Sequence, residues 1–266
     1  MKTRLDIYLF ENDYAKSRTD AKRVIESGGV FVNGKEIKKA SFLIDIEDKL
    51  EVRAEEREFV GRGGYKLKAA LDYFKIDLNG CVCLDIGAST GGFTDCMLKR
   101  GAEKVYAVDV GQDQLDKSLK GDLRVINIEK LNVRDITSDT FLEKMDFVSA
   151  DLSFISLEYA LMPIKSVLKS SAYVVVLVKP QFEAGRSELN KKGIVKNKRA
   201  HITVLNKIIF KCKEVGLGVK GLCFSPIKGG DGNIEYLLYL SACEGDEPIN
   251  VTEVVDDAIR NFREGS

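Results

Sequence analysis

The sequence predicts an α/β protein: an open, mostly parallel sheet with helices on both faces, preceded by a small α+β unit. Three observations carry that prediction. From residue 61 onward, strand-like and helix-like runs alternate, the pattern from which parallel sheets are wound. An apolar run at 81–86 passes into a glycine-rich turn and then a helical stripe. The first 53 residues instead hold two short helical stripes and an Asn-Gly turn between strand-like runs, which is a hairpin signal.

In the leading unit, Leu5, Tyr8 and Leu9 fall at helical spacing over 4–11. Ser17 to Asp20 supply capping residues for a second helix; Ala21, Val24 and Ile25 form its apolar stripe, and Gly28-Gly29 ends it. Residues 30–37 follow as the hairpin around Asn33-Gly34. Lys16, Arg18, Lys22 and Arg23 crowd the start of the second helix, where cations beside a helix N-terminus suit phosphate and otherwise form a solvated face. The charged stretch 54–60 reads as a linker. The boundaries are set at 1–56 for the leading unit, 57–60 for the linker, 61–245 for the larger domain and 246–266 for an acidic C-terminal tail or helix. Within the larger domain, strands are expected at 81–86, 105–110, 147–150, 174–179 and 236–241. Helices are expected at 93–100, 157–169 and 201–214.

Composition narrows the class. Apolar residues make up 44% and charged residues 31% of the chain, ordinary values for a soluble globular protein. The longest apolar run, 172–178, is far short of the roughly 20 residues that span a bilayer as a helix. The first residues carry charge with no long apolar stretch behind them, so no signal peptide is expected and the protein is placed in the cytoplasm. The six cysteines show no Cys-x-x-Cys spacing and read as small buried hydrophobes of a reducing compartment. The single histidine, His201, reads as a surface or helix residue, and no metal site is expected. A net charge of zero conceals an asymmetry. Residues 1–40 hold nine Lys/Arg against six Asp/Glu, residues 61–240 hold 27 against 21, and the chain from 241 holds two against seven. An acidic end on a mildly basic body is compatible with RNA.

The turn Gly87-Ala88-Ser89-Thr90-Gly91-Gly92-Phe93 follows a buried strand and opens a helix, the place where backbone approaches a ligand. Its glycines do not fit the G-x-G-x-x-G spacing of a dinucleotide site. Asp85, near the end of that strand, would repel a pyrophosphate but could hold the amino group of a methionine moiety. Asp109 and Val110 end the next strand, 24 residues on for the aspartate, a plausible reach for an acid that bonds ribose hydroxyls. These features favour S-adenosylmethionine over NAD.

Four polar residues stand where polarity needs a reason. Lys66 is expected just before the first helix of the domain. Asp151 follows the strand 147–150, Lys179 ends the strand 174–179 ahead of Pro180, and Glu235 precedes the strand 236–241. Taken singly, a strand-end lysine is usually a solvated charge, Asp151 could be a helix cap and Glu235 an exposed strand residue. Strand C-terminal ends form the ligand crevice of an open α/β sheet, which brings Asp151 and Lys179 together.

Two resemblances extend this. Arg4-Leu5-Asp6, Ser17-Arg18 with 21–25, and Gly28-x-Val30-x-Val32-Asn33-Gly34 together resemble the S4 RNA-binding domain, which adds Arg4 to the candidate RNA contacts. The rest resembles the Rossmann-like FtsJ-type 2′-O-methyltransferases. The resemblance rests on Arg62-Gly63-Gly64-x-Lys66-Leu67, the stretch 85–95, Asp151-Leu152-Ser153-Phe154, Lys179-Pro180-Gln181-Phe182-Glu183 and Gly229-Gly230-x-Gly232-Asn233-x-Glu235. The fusion of the two is similar to the TlyA family. That resemblance implies a Lys66–Asp151–Lys179–Glu235 tetrad, with Asp151 also at the donor and Asn132 and Val133 beside the adenine. It also implies methyl transfer to the ribose of a cytidine in ribosomal RNA, and an aromatic at Phe59 where the family carries Trp. Lys179 is the expected proton acceptor or guide, its affinity for the proton lowered by the like charge of Lys66. The expected partners are ribosomal RNA or subunits, with neither DNA nor membrane, and the chain is expected to be a monomer. An RNA- or ribosome-binding factor without activity, and the haemolysin that the family label names, are the competing readings.

Overall fold

A computed structural model describes residues 2–15, 17–52, 58–230 and 232–264. The chain forms two units, residues 1–58 and 59–266.

The first unit runs β1 (Thr3–Arg4), α1 (Leu5–Glu11), α2 (Arg18–Ser27), β2 (Val30–Val32), β3 (Lys35–Glu36), β4 (Leu43–Ile44) and β5 (Leu50–Val52). Ser17 caps α2 by accepting a hydrogen bond from the Asp20 amide at 3.1 Å. Asn33 and Gly34 both have positive φ, 51° and 79°, which a two-residue hairpin turn of this type requires. The strands order as β3-β2-β5, with β1 and β4 paired separately. Leu5, Leu9, Ala21, Ile25, Val30 and Val32 form the core, and Tyr8 and Val24 of the two expected helical stripes pack against it partly buried.

The second unit runs α3 (Gly63–Phe74), β6 (Val82–Ile86), α4 (Gly92–Lys99), β7 (Lys104–Asp109), α5 (Lys117–Lys120), β8 (Val125–Glu129), β9 (Met145–Ala150), α6 (Glu158–Val167), β10 (Leu168–Val178), α7 (Pro180–Glu183), α8 (Lys198–Glu214), β11 (Gly218–Phe224), β12 (Tyr236–Ser241) and α9 (Val251–Glu264). The sheet order is β11-β12-β10-β9-β6-β7-β8. Neighbours from β10 to β8 pair in parallel, and β12 is antiparallel to both its neighbours. Both faces are covered. Val174, Val176 and Val178 point into one core with α6, α8 and α9, while Val175 and Leu177 point into the other with α3 and α4. A strand buried on both faces needs no polar alternation, which is why 174–178 is solidly apolar.

Several expectations are corrected. Lys66 lies within the first turns of α3, since that helix already begins at Gly63. The strand expected from 174 starts at Leu168, and α6 ends at Val167. Phe59, placed in the linker, is 2% exposed and packs edge-on against Tyr65 of its own unit, ring centroids 5.2 Å apart. His201 is not on the surface. It lies in α8, 1% exposed, with Nε2 at 2.9 Å from the Val195 carbonyl and Nδ1 at 3.0 Å from the Tyr236 hydroxyl. Burial pushes its pKa down and so favours the neutral ring. Of the cysteines, Cys83, Cys96, Cys212 and Cys223 are buried as expected, but Cys81 is half-buried and Cys243 exposed.

Candidate active site

The site lies at the C-terminal ends of the parallel strands. Asp151 directly follows β9 and Lys179 directly follows β10. Because β12 runs the opposite way, the residue before it, Glu235, arrives at the same end: Tyr236 stands level with Val178 in the sheet. α3 brings Lys66 across from the side.

The four side chains form one chain of charges. Lys66 Nζ lies 2.6 Å from Glu235 Oε2 and 3.9 Å from Asp151 Oδ2. Lys179 Nζ lies 2.6 Å from Asp151 Oδ1 and donates to Ser153 Oγ at 2.8 Å. Asp151 thus stands between two lysine amino groups. Lys66, Lys179 and Glu235 are all buried, so each pairing replaces water that the charges have lost. Glycines make the approach possible. A Cβ on Gly229 would lie 2.4 Å from Glu235 Oε1, and one on Gly87, where φ is +83°, would lie 2.5 Å from the Asp151 carbonyl oxygen.

A groove of about 510 Å³ opens beside this cluster, over the ends of β6, β7 and β9. Gly87, Ser89, Asp109, Val110, Asn132, Val133 and Asp151 line it, all candidates from the sequence. Ala88, Thr90, Gly92 and Phe93 line an adjoining cleft with Gly63. Asp109 is held by the amides of Ser89 at 2.8 Å and Gly111 at 2.7 Å. Gly91, with φ +93°, turns the loop into α4; a Cβ there would strike Leu119 and Leu115, away from the groove. The groove also takes in Gln114, Leu152, Ser153, Phe154 and Ile155, which sequence reasoning missed as contacts. Among them Phe154 is 92% exposed at φ +64°.

Asp85 is corrected as a direct contact. It is the fourth of the five β6 residues, has no accessible surface, and accepts hydrogen bonds from Thr94 Oγ1 at 2.7 Å and Ser149 Oγ at 3.2 Å. Burial pushes its pKa up to about 7. The unfolded chain sheds this proton near the ordinary aspartate pKa, about 3.9. Between the two values the folded state holds more protons, so Asp85 subtracts stability as pH rises from about 4 to 7. Asp85→Asn is therefore expected to be more stable relative to wild type at pH 8 than at pH 5, read by urea unfolding at both. An equal difference at the two pH values would disprove the assignment.

In the first unit, Arg4 binds the buried Asp6 through Nε at 2.9 Å and Nη2 at 3.0 Å, and Arg18 reaches it at 3.5 Å. The Arg4 guanidinium, its strongest neighbour, holds the Asp6 carboxyl below the usual carboxylate range. Both guanidiniums remain about half exposed, 47% and 57%. Lys22 pairs with Glu26 along the helix at 3.7 Å. Lys16 lies outside the described residues, as does the side chain of Arg23.

Comparison with known proteins identifies the family. The FtsJ-like methyltransferase profile matches residues 59–242 and the S4 domain profile residues 3–50. The chain is 43% identical to YqxC of Bacillus subtilis, covering 99% of this chain and 96% of that protein. It is 37% identical to the 16S/23S rRNA (cytidine-2′-O)-methyltransferase TlyA of Mycobacterium tuberculosis, covering 99% and 98%. A Streptococcus thermophilus structure described as a hemolysin superposes with a TM-score of 0.81 at 40% identity, covering 99% and 98%. With a profile match across most of its length and close relatives over nearly all of it, this chain belongs to the FtsJ-like methyltransferase family and carries an S4 domain ahead of the methyltransferase.

Proposed function

We propose that this protein methylates the ribose 2′-oxygen of a cytidine in ribosomal RNA, acting in the cytoplasm, with Lys66, Asp151, Lys179 and Glu235 as its catalytic residues. The observation that carries the reading is the buried Lys179–Asp151–Lys66–Glu235 chain at the edge of the strand-end groove. Its relative from Mycobacterium tuberculosis bears the name of that reaction.

S-adenosylmethionine supplies an electrophilic methyl group on a sulfonium. The groove suits it in size, since small-molecule pockets run to about 300–1,000 Å³. Gly87 to Ser89 bring backbone to the ligand, Asp109 offers a carboxylate for ribose hydroxyls, and Asn132 and Val133 flank the position for the base. Asp85 supports the loop from beneath through Thr94 and Ser149.

The acceptor hydroxyl is a weak nucleophile at neutral pH and must lose its proton as its oxygen gains the methyl. Lys179 receives that proton as a neutral amine, becoming an ammonium, or as an ammonium steers it to solvent. Asp151 and Ser153 fix the lysine's Nζ from two sides, at 2.6 and 2.8 Å. Lys66, held by Glu235, keeps Asp151 in place and sets a second cation beside the reacting oxygen. The S4 unit adds RNA affinity, through phosphates met by Arg4, Arg18, Lys22 and the neighbouring Lys16 and Arg23.

The test is transfer of labelled methyl from S-adenosylmethionine to unmodified ribosomal subunits, with the product nucleoside identified. Label on the 2′-oxygen of cytidine is the expected result. No transfer to either subunit, with the donor bound, would overturn the reading. Label on a base nitrogen or carbon would overturn the assigned reaction.

A further inference from the structure

The catalytic end of the sheet has a second, larger groove. Reading along the strand ends, the donor groove covers β7, β6 and β9, and Asp151, Lys179 and Glu235 stand at β9, β10 and β12, with Lys66 reaching them from α3. Beyond β12, on the side away from the donor, lies a hollow of about 730 Å³ bounded by the segment before α8, the loop before β12, and α9. Its floor includes Ile234, Ile259 and Phe262. Its rim carries Lys196, Lys198, Lys228 and Arg263, and among the described residues the one acid lining it is Asp256. That acid is engaged by Lys198 at 2.5 Å. Among the described residues, Lys196, Lys228 and Arg263 have no acidic partner. Lys228 Nζ sits 5.1 Å from the centre of the Phe262 ring.

This rim is fastened to the residues on either side of Glu235. Asn233, 1% exposed, accepts from the Val195 amide and donates to the Gly193 carbonyl, both at 3.1 Å. His201 bridges Val195 and Tyr236. Arg62, four residues before Lys66, donates to the Lys228 carbonyl at 2.8 Å. The backbone beside Lys196 and that of Lys228 are therefore tied to the segments that carry Glu235 and Lys66.

We infer that this groove holds the RNA strand where it leaves the target ribose, with backbone phosphates on Lys196, Lys228 and Arg263 and a base against Phe262. The inference rests on the ribose-methylation reading. An in-line displacement needs the acceptor on the side of the methyl opposite the departing sulfur, so the strand carrying it enters from the side the donor does not fill. Cations over an apolar, aromatic floor match a single strand, which presents phosphates and base faces together.

The test is binding of the full chain to unmodified ribosomal subunits, measured directly across a salt series. The triple variant Lys196→Ala/Lys228→Ala/Arg263→Ala is expected to bind at least tenfold more weakly. The slope of log affinity against log salt should fall by about 2–3, one unit or slightly less per lost phosphate contact. Donor affinity should match wild type. A matched neutralisation at the opposite end of the sheet, Lys104→Ala/Lys169→Ala/Lys213→Ala, should leave affinity and slope unchanged. Equal losses in both triples, or no loss in the first, would overturn the groove. Should the first triple unfold, the single exposed Lys196→Glu variant gives the same readout, and wild-type affinity in it would overturn the groove. Wild type that binds, responds to the triple and yet transfers no methyl would instead overturn the reaction while leaving the groove standing.

Discussion

Lys179→Ala is expected to lower the rate of methyl transfer by about 10²–10⁴, the range that a positioned proton-transfer group contributes. Donor affinity should stay within a few-fold of wild type, because Lys179 is not among the residues lining the donor groove. The side chain is buried and held by Asp151 and Ser153, so no neighbouring water has ready access to replace it. Single-turnover transfer at saturating RNA, beside calorimetric donor binding, separates the two effects. Lys179→Arg sharpens the test. It keeps a cation but cannot release a proton near neutral pH, so it should be nearly as inactive as alanine if Lys179 receives the proton. Strong rescue by arginine would show that charge alone is needed. Near-native turnover of the alanine variant would end the assignment.

The second large effect is on stability. Glu235→Ala removes the close partner of Lys66, leaving a buried ammonium whose other carboxylate, Asp151, is 3.9 Å away and shared with Lys179. Breaking a buried pair from one side costs about 3–5 kcal/mol, because the surviving charge has lost both water and partner. For a domain of this size that lowers Tm by about 10 °C. Replacing both members, Lys66→Met with Glu235→Leu, removes the stranded charge and should recover most of the loss while leaving transfer abolished. A Glu235→Ala protein that melts like wild type would show that the pair is not a buried charge pair in solution. A double variant as unstable as the single would place the loss in packing.

The sequence made the fold legible wherever periodicity was strong. The solid run at 174–178 and the glycine turn after 81–86 left little choice, and the Asn-Gly turn identified the hairpin. β8 and β11 escaped for physical reasons. β8 is an edge strand with polar Asn127 and Glu129 and two well-exposed positions, and β11 carries two glycines that weaken a strand signal. Asp151, Lys179 and Glu235 could be found because each is a charge at the end of an apolar strand. Asp85 looks the same in one dimension, yet it points inward. Only the packing of Thr94 and Ser149 against it distinguishes a carboxylate under the loop from one in the groove. His201 carries no sequence signal of its burial, because its partners, Val195 and Tyr236, come from two separate segments.

The reversed direction of β12 also imposes an order on the making of the protein. The donor groove is complete in sequence once the turn after β9 has emerged, whereas Glu235 follows 84 positions after Asp151 and meets a lysine 169 residues behind it. Contacts closing over such separations are the slow ones in folding. The residues lining the groove are therefore synthesised before the carboxylate that pairs with Lys66. The reaction centre is thus assembled from both ends of the methyltransferase unit, Lys66 near its start and Glu235 ahead of the last strand of its sheet.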